Sequence, residues 1–317
     1  MNMDPLPPAF VQNVVGYFPN GRRWLADLPQ CLAALEKRWQ LRELRPVASL
    51  SFNFVAFATE SRHGREVVLK VSPDPSVTAA ESAWLLHHAG NAVVGVLAAS
   101  TDAYLMECLS PGLPLDPQSQ REDRQTAREI ASLINRLSRS PPPADQAGLF
   151  RAVAQDSSGL ADYSRAFGDR GVVDAKLVDA AKTVWSTLVA SPSPPCLVHG
   201  DLHHSNVLVS ARGDGTSRPI VIDPHGLIAE TEYECAAMLR NRLAWCPNEA
   251  TLARAVSDRV SILAEVLALD PERIAAWGFA QTVLSACWEA LATKGVQDAA
   301  VLAAARALRR RLERPGG

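Results

Sequence analysis

Three side chains in the second half of the chain are spaced for phosphoryl transfer. Asp201 and Asn206 lie in the run His199-Gly200-Asp201-Leu202-His203-His204-Ser205-Asn206-Val207-Leu208-Val209, and Asp223 follows the apolar run Ile220-Val221-Ile222. Moving a γ-phosphoryl group from ATP to an alcohol takes three groups. A carboxylate orients or receives the alcohol proton, an amide oxygen reaches Mg²⁺, and a second carboxylate holds that metal against the phosphates. Asp-x-x-x-x-Asn is the spacing of such catalytic loops, with the aspartate as base and the asparagine on the metal. The assignment is therefore Asp201 as catalytic base, Asn206 and Asp223 as metal ligands, and ATP and Mg²⁺ as cofactors. Alone, Asp201 and Asn206 would read as turn caps. The flanking strands, the His-Gly before Asp201 and the later Asp223 together outweigh that reading.

A rival reading gathers His199, Asp201 and His203 on one strand face around Zn²⁺. It leaves Asn206 and Asp223 idle and supplies no distant ligand. His199 reads instead as a brace for the loop, and His203 as a residue facing the acceptor.

The phosphate end requires a cation. Lys70 sits in Val67-Val68-Leu69-Lys70-Val71, a charge in the middle of an apolar strand. A bare buried ammonium is costly, so it needs anions. ATP phosphates and Glu81, one helical segment later, would provide them. The alternative is an edge-strand lysine and a solvated glutamate. Glu107 and Cys108, in the Met106–Leu109 segment between two lobes, are where adenine would meet backbone groups.

The elements that must position these residues fall into two blocks. Residues 24–41 have the three-to-four spacing of an amphipathic helix. Residues 46–58 and 66–71 are rich in β-branched and aromatic residues and read as a hairpin, and 77–89 as a helix. Residues 92–98 and 103–108 read as strands. Ser110–Pro114 is a breaker cluster and marks a boundary. Beyond it helices are expected over 119–138, 148–167, 173–190, 230–244, 249–267, 271–293 and 297–313. A strand island interrupts them at 196–199, 206–209 and 219–222, with Asp214-Gly215 as its hairpin turn. The expected fold class is α+β, with a nucleotide-binding lobe at 1–109 that carries an N-terminal helical extension, and a helical lobe with the catalytic loop and substrate site at 110–317.

Composition narrows the partners. The chain has 317 residues, a net charge of -2 and no long run of one sign. A nucleic-acid binder would show a basic stripe, so none is expected to bind. No apolar run approaches the ~18–20 residues of a membrane span. The start, MNMDPLPPAF, lacks the pattern of an export signal. Six scattered cysteines then read as free thiols, and the expected compartment is the cytoplasm.

The loop HGDLHHSNVL resembles that of the aminoglycoside phosphotransferase family. Three further features resemble its 6-phosphotransferase subgroup, the streptomycin and hydroxyurea-resistance kinases. They are Trp24-Leu25-Ala26-Asp27-Leu28-Pro29 with Arg38-Trp39, then Asp223-Pro224-His225-Gly226-Leu227-Ile228, then Glu230 through Met238-Leu239-Arg240-Asn241. The likeness spans about residues 20–290. It implies a protein-kinase-like bilobal fold, with a small antiparallel-sheet N-lobe and a mainly helical C-lobe, acting as a monomer. It also implies that Lys70 contacts the α- and β-phosphates, that Glu81 orients Lys70, and that Glu234 braces the catalytic loop. Residues 47–53 fall at the phosphate-covering loop but contain no glycine, so Ser49 and Ser51 would offer hydroxyls and N–H groups there. No arginine stands between His199 and Asp201 and no APE-like segment follows Asp223, unlike regulated protein kinases.

A cationic aminoglycoside acceptor would be held by carboxylates such as Asp162, Glu230, Glu232 and Glu289, with Trp288 as an apolar wall and His203 nearby. A metabolic kinase of an amino sugar, cyclitol or other small alcohol is the alternative. A non-catalytic nucleotide-binding pseudokinase is a third, against which the joint presence of Lys70, Asp201, Asn206 and Asp223 weighs.

Overall fold

The computed structural model describes residues 6–138, 140–141, 143, 148–211, 216–292 and 299–313. The chain forms two compact units, one of residues 1–112 with 210–218 and one of 113–209 with 219–317. The first crossing lies at 112/113, and residues 210–218 return to the first unit.

The first unit starts with helices α1 (Pro8–Tyr17) and α2 (Gly21–Trp39). Strands β1 (Leu41–Pro46), β2 (Phe54–Glu60) and β3 (Arg65–Val71) follow, then α3 (Pro75–His87), β4 (Val96–Ala99) and β5 (Ala103–Glu107). The five strands form one sheet in the order β1-β2-β3-β5-β4, antiparallel at each pair. Alternation along β3 divides its side chains between two faces. Val67, Leu69 and Val71 join Leu28, Leu32 and Leu35 of α2 in one apolar cluster. Each such fully buried side chain contributes about 2 kcal/mol relative to leaving it exposed. Lys70 lies on the opposite face. Asp74 caps α3 by accepting the Ser76 N–H at 2.9 Å, and Pro75 opens the helix.

The hairpin expected over 46–58 and 66–71 is present with its register moved. Its strands are β2 and β3, joined across residues 61–64, and 47–53 is loop. β1 was not foreseen, because Leu41-Arg42-Glu43-Leu44-Arg45 is too polar to read as a strand. It is an edge strand, where charge is tolerated.

Strand β6 (Pro111–Pro114) runs through the breaker cluster. Then come α4 (Gln120–Leu137), β7 (Arg151–Ala152), α5 (Ser158–Phe167), α6 (Ala175–Ala190), β8 (Cys196–Val198), β9 (Val207–Ala211), β10 (Ser217–Val221) and β11 (Leu227–Ala229). The chain ends in α7 (Thr231–Glu234), α8 (Ala236–Arg240), α9 (Glu249–Leu267), α10 (Pro271–Ala292) and α11 (Ala299–Leu312). Two small sheets have the orders β10-β9-β6 and β7-β11-β8. Asp214-Gly215 lies outside the described residues. The helix expected over 230–244 is two short helices, and the one expected over 148–167 is confined to α5. α10 is apolar on nearly every side and is the buried axis of the second unit, packed by α5, α6, α8, α9 and α11.

All six cysteines are free thiols. Among the described residues no helix is long and apolar enough to cross a membrane.

Candidate active site

In the first unit, Lys70 Nζ and Glu81 Oε1 are 2.7 Å apart, with both side chains almost wholly buried. Lys70 pairs in register with Val55 on β2 and Tyr104 on β5. It is therefore on an interior strand, which removes the edge-strand reading. Two opposite charges this deep need partners, and each supplies one to the other.

Loop 47–53 is tied to the N-terminal helix. Asn13 Nδ2 donates to Ser51 O at 3.3 Å, and the Tyr17 and Phe52 rings are 5.1 Å apart. Ser51 thus has its carbonyl engaged by α1, and Ser49 lies two residues before it on the same loop. The Glu107 N–H donates to Gly95 O at 2.9 Å, and its carboxylate accepts the Gly95 N–H at 2.9 Å. The Glu107 N–H and carboxylate therefore both face Gly95; the reading that adenine meets backbone groups of this segment stays a proposal. Cys108, the residue past the end of β5, belongs to that segment.

In the second unit the catalytic loop is built from the backbone up. β8 delivers His199, and Gly200 then takes φ +88°, a left-handed conformation where a Cβ would also lie 2.7 Å from Leu227 Cδ1. Glu234 gathers the turn, accepting the His199 N–H at 2.5 Å and the Gly200 N–H at 3.1 Å. Burial pushes the Glu234 carboxyl up to about 7, against hydrogen bonds from Gly200, His199 and Leu202.

His199 is fixed in one tautomer. Its Nδ1 accepts the Asp201 N–H at 3.2 Å, so its Nε2 carries the proton and donates to Ile222 O at 2.9 Å. Burial pulls its pKa down to about 4. With both nitrogens engaged, His199 braces the loop and is no metal ligand, which removes the Zn²⁺ reading. Among the described residues no group of three His, Cys, Asp or Glu is arranged around a metal position.

The Asp201 carboxylate is gripped on both oxygens. His203 Nε2 lies 3.3 Å from Oδ2, and Arg240 Nη2 lies 3.3 Å from Oδ1. His203 Nδ1 accepts the Ser205 N–H at 3.1 Å, which leaves the Nε2 proton to point at Asp201. Burial alone would raise the Asp201 carboxyl. The His203 hydrogen bond and the surrounding positive charge, Arg240 included, outweigh it and hold the group well below the usual carboxylate range.

Asn206 and Asp223 are brought together through the backbone. The Ile222 N–H donates to Asn206 O at 3.0 Å, which sets Asp223 one residue away from this link. Asn206 Nδ2 donates to Asp201 O at 3.0 Å, leaving its Oδ1 as the outward acceptor. Asp223 has φ 60°. A non-glycine residue there costs about 1 kcal/mol and is typical of functional turns. An amide oxygen and a carboxylate are the hard oxygen donors that Mg²⁺ takes, so the residues fit this ion.

The proposed acceptor ligands are placed differently. His203 is at Asp201. Glu230 is buried and committed to the chain itself: it binds Arg273 Nε at 2.7 Å, the Ser193 N–H at 2.7 Å and the Trp277 indole N–H. This corrects its assignment as a substrate ligand, because a carboxylate with three internal donors is a structural anchor. Trp288 is 41% exposed, and its indole lies over Gly159, where a Cβ would come within 2.3 Å of Nε1. Glu289 follows it on α10, half-buried.

Sequence reasoning did not give roles to Arg240, Gln281, Tyr233 or the buried pair Asp123–Arg259. A signal existed for the last two. Arg259 falls on the apolar stripe Val256, Val260 and Leu263 of α9, and Asp123 on the stripe Ala127, Ile130 and Ile134 of α4. A charge in such a stripe announces a buried partner.

A family model described as "Aminoglycoside/hydroxyurea antibiotic resistance kinase" matches residues 38–293. A streptomycin 6-kinase of Streptomyces glaucescens is 26% identical over 315 residues, covering 96% of each chain. A hydroxyurea phosphotransferase of Kitasatospora aureofaciens is 27% identical, covering 85% of this chain and 75% of that one. Among solved structures, aminoglycoside phosphotransferase APH(4)-Ia in a ternary complex with ADP and hygromycin B superposes with a TM-score of 0.56. It shares 16% identity and covers 87% of this chain and 97% of that one. The fold is thus protein-kinase-like, with an antiparallel-sheet N-lobe and a mainly helical remainder. The chain belongs to the aminoglycoside/hydroxyurea antibiotic resistance kinases, enzymes that phosphorylate hydroxyl groups of small molecules.

Proposed function

We propose that this chain is an ATP- and Mg²⁺-dependent O-phosphotransferase acting as a cytoplasmic monomer on streptomycin or a related aminoglycoside, and so confers resistance. The observation that carries this reading is the Asp201 carboxylate. It is held ionised between His203 and Arg240, on the loop that also carries Asn206, whose backbone carbonyl accepts the N–H of Ile222, the residue before Asp223. Bound Mg²⁺ and ATP supply the phosphoryl group and the charge compensation that its transfer needs.

The chain's own residues do the rest. Lys70, oriented by Glu81, takes the nucleotide phosphates. Asn206 Oδ1 and the Asp223 carboxylate hold the metal. Asp201 accepts a hydrogen bond from the acceptor hydroxyl and so aims its oxygen. A carboxylate this acidic is a weak base, so it takes the proton late, once the new O–P bond has drained charge from the hydroxyl. The streptomycin assignment rests on the 26% identical streptomycin 6-kinase, which matches over nearly the whole chain.

The test is ADP release by the purified protein with Mg-ATP and a panel of streptomycin, other aminoglycosides, amino sugars, cyclitols, nucleosides and hydroxyurea. The expected result is stimulation by streptomycin that is lost in Asp201→Asn. Stimulation by another compound alone overturns the streptomycin assignment and keeps the reaction class. No stimulation by any of them overturns the antibiotic reading.

A further inference from the structure

We propose that Arg240 is the positioning residue of the catalytic base, held in place by a buried polar chain through Gln281 to Tyr233 and by the Asp123–Arg259 pair. This rests on Asp201 being the base.

Arg240 ends α8, beside the catalytic loop but far from it in sequence. Its Nη2 meets Asp201 Oδ1 at 3.3 Å. Its Nη1 donates to Gln281 Oε1 on α10. Tyr233 on α7 lies beside both, close enough for the Gln281 amide and the Arg240 charge to act on its hydroxyl. Tyr233 is fixed in turn, with its ring 5.2 Å from Trp277 and 6.3 Å from Trp185, edge to face in both cases. Gln281 and Tyr233 are 4% and 2% exposed. A buried amide and a buried hydroxyl are costly unless bonded, so each link fixes the next.

A second device acts on the backbone that carries Arg240. Arg259 is fully buried and grips Asp123 through Nε, 3.1 Å from Oδ2, and through Nη2. Its remaining donors take the carbonyls of Met238 at 2.7 Å, Asn241 at 2.8 Å and Arg242 at 3.3 Å. These residues flank Arg240 on both sides. The α8 segment has only five residues, and its last carbonyls need partners from outside the helix; Asn241 Nδ2 donates to Ala237 O at 2.8 Å, which leaves those that follow. Arg259 serves Met238 among them and sets where the Arg240 side chain starts.

The effect on Asp201 is geometric. A carboxylate with a donor on one oxygen still swings about its Cβ–Cγ bond. With His203 on Oδ2 and Arg240 on Oδ1, a single rotamer remains, and the acceptor hydroxyl meets a fixed oxygen. A fixed base converts a search into one orientation, and small misplacements cost large factors in rate. Gln281 bonds Arg240, which in turn bonds Asp201, so its influence on turnover runs through Arg240.

The experiment compares Arg240→Ala, Arg240→Lys, Gln281→Ala, Tyr233→Phe and the double variant Arg240→Ala/Gln281→Ala with Asp201→Asn. Thermal stability, ATP affinity by titration calorimetry, and kcat and KM are read for each. The acceptor is the fastest compound of the panel above, or water if none is turned over. The expected result is a kcat loss of about 10²-fold in Arg240→Ala and about 10-fold in Gln281→Ala, with ATP affinity within about threefold of the parent. The double variant falls no further than Arg240→Ala, and Arg240→Lys recovers part of the loss. Tyr233→Phe removes one oxygen at the far end of the chain and should lower kcat severalfold with the fold intact. Additive kcat losses in the double variant, or loss of stability with kcat per folded molecule unchanged, would overturn the inference. If Asp201→Asn is inactive while Arg240→Ala turns over normally, the positioning role fails and the base stands. If Asp201→Asn stays active, the reading of Asp201 itself fails.

Discussion

In the first unit the buried Lys70–Glu81 ion pair joins a central strand to one helix. In the second, Asp201 is held by side chains from its own loop and from α8, and that grip is backed by residues of α4, α7, α9 and α10. The contrast teaches how each function is built. Holding a polyanion takes one well-placed cation with a partner. Aiming one carboxylate oxygen at one hydroxyl takes a supported framework, because its effect depends on fractions of an ångström.

The largest break in this comparison comes from Lys70. Lys70→Met should lower kcat/KM for ATP by about 10²–10³-fold, measured by steady-state ADP release. It also removes the ammonium that Glu81 faces at 2.7 Å, so stability should fall. Lys70→Met combined with Glu81→Leu should regain that stability without regaining activity, since an apolar pair of similar size replaces a buried ion pair with little penalty. Recovery of activity in the double variant would reduce the pair to structure.

A smaller effect separates structure from chemistry in the second unit. Glu230→Gln leaves the Arg273 guanidinium without its anion, and should cost about 3 kcal/mol of stability by chemical denaturation. Its kcat, corrected for folded fraction, should stay within about threefold of the parent. A selective rise in acceptor KM would restore Glu230 as a substrate ligand.

The smallest effect is a pH slope in the first unit. His88 is buried, and burial with the neighbouring His87 charge pulls its pKa down to about 4. Its pKa in the unfolded chain is the ordinary 6.5. The unfolded state therefore binds the extra proton, and stability falls as pH drops from 6.5 toward 4. The loss is at most about 2 kcal/mol at pH 5. His88→Leu should flatten the slope between pH 7 and 5, read by denaturant midpoints. An unchanged slope would mean that His88 is protonated in the fold.

Much of this was legible because local rules and tertiary need agreed. Lys70 stood out as a charge in an apolar strand, and Asp201, Asn206 and Asp223 by their spacing and flanking strands. Long-range partners were harder. Glu230 reads as an acceptor carboxylate in the sequence because nothing near it there reveals Arg273 or Trp277. Arg240 belonged to a recognisable motif, but its grip on Asp201 spans 39 positions. β1 was missed because an edge strand bears charge, and β7 and β11 because two- and three-residue strands carry too little pattern to read. The Asp123–Arg259 pair was within reach of the logic that found Lys70, had it been applied to helices.

The central claim is that Asp201 aims the acceptor and does not hold the nucleotide. The most direct measurement is Mg-ATP binding and turnover on one preparation of Asp201→Asn. The account predicts ATP affinity within about threefold of the parent and a kcat reduced by about 10²–10⁴-fold. Turnover at the parent rate, or loss of ATP binding in step with activity, would contradict it.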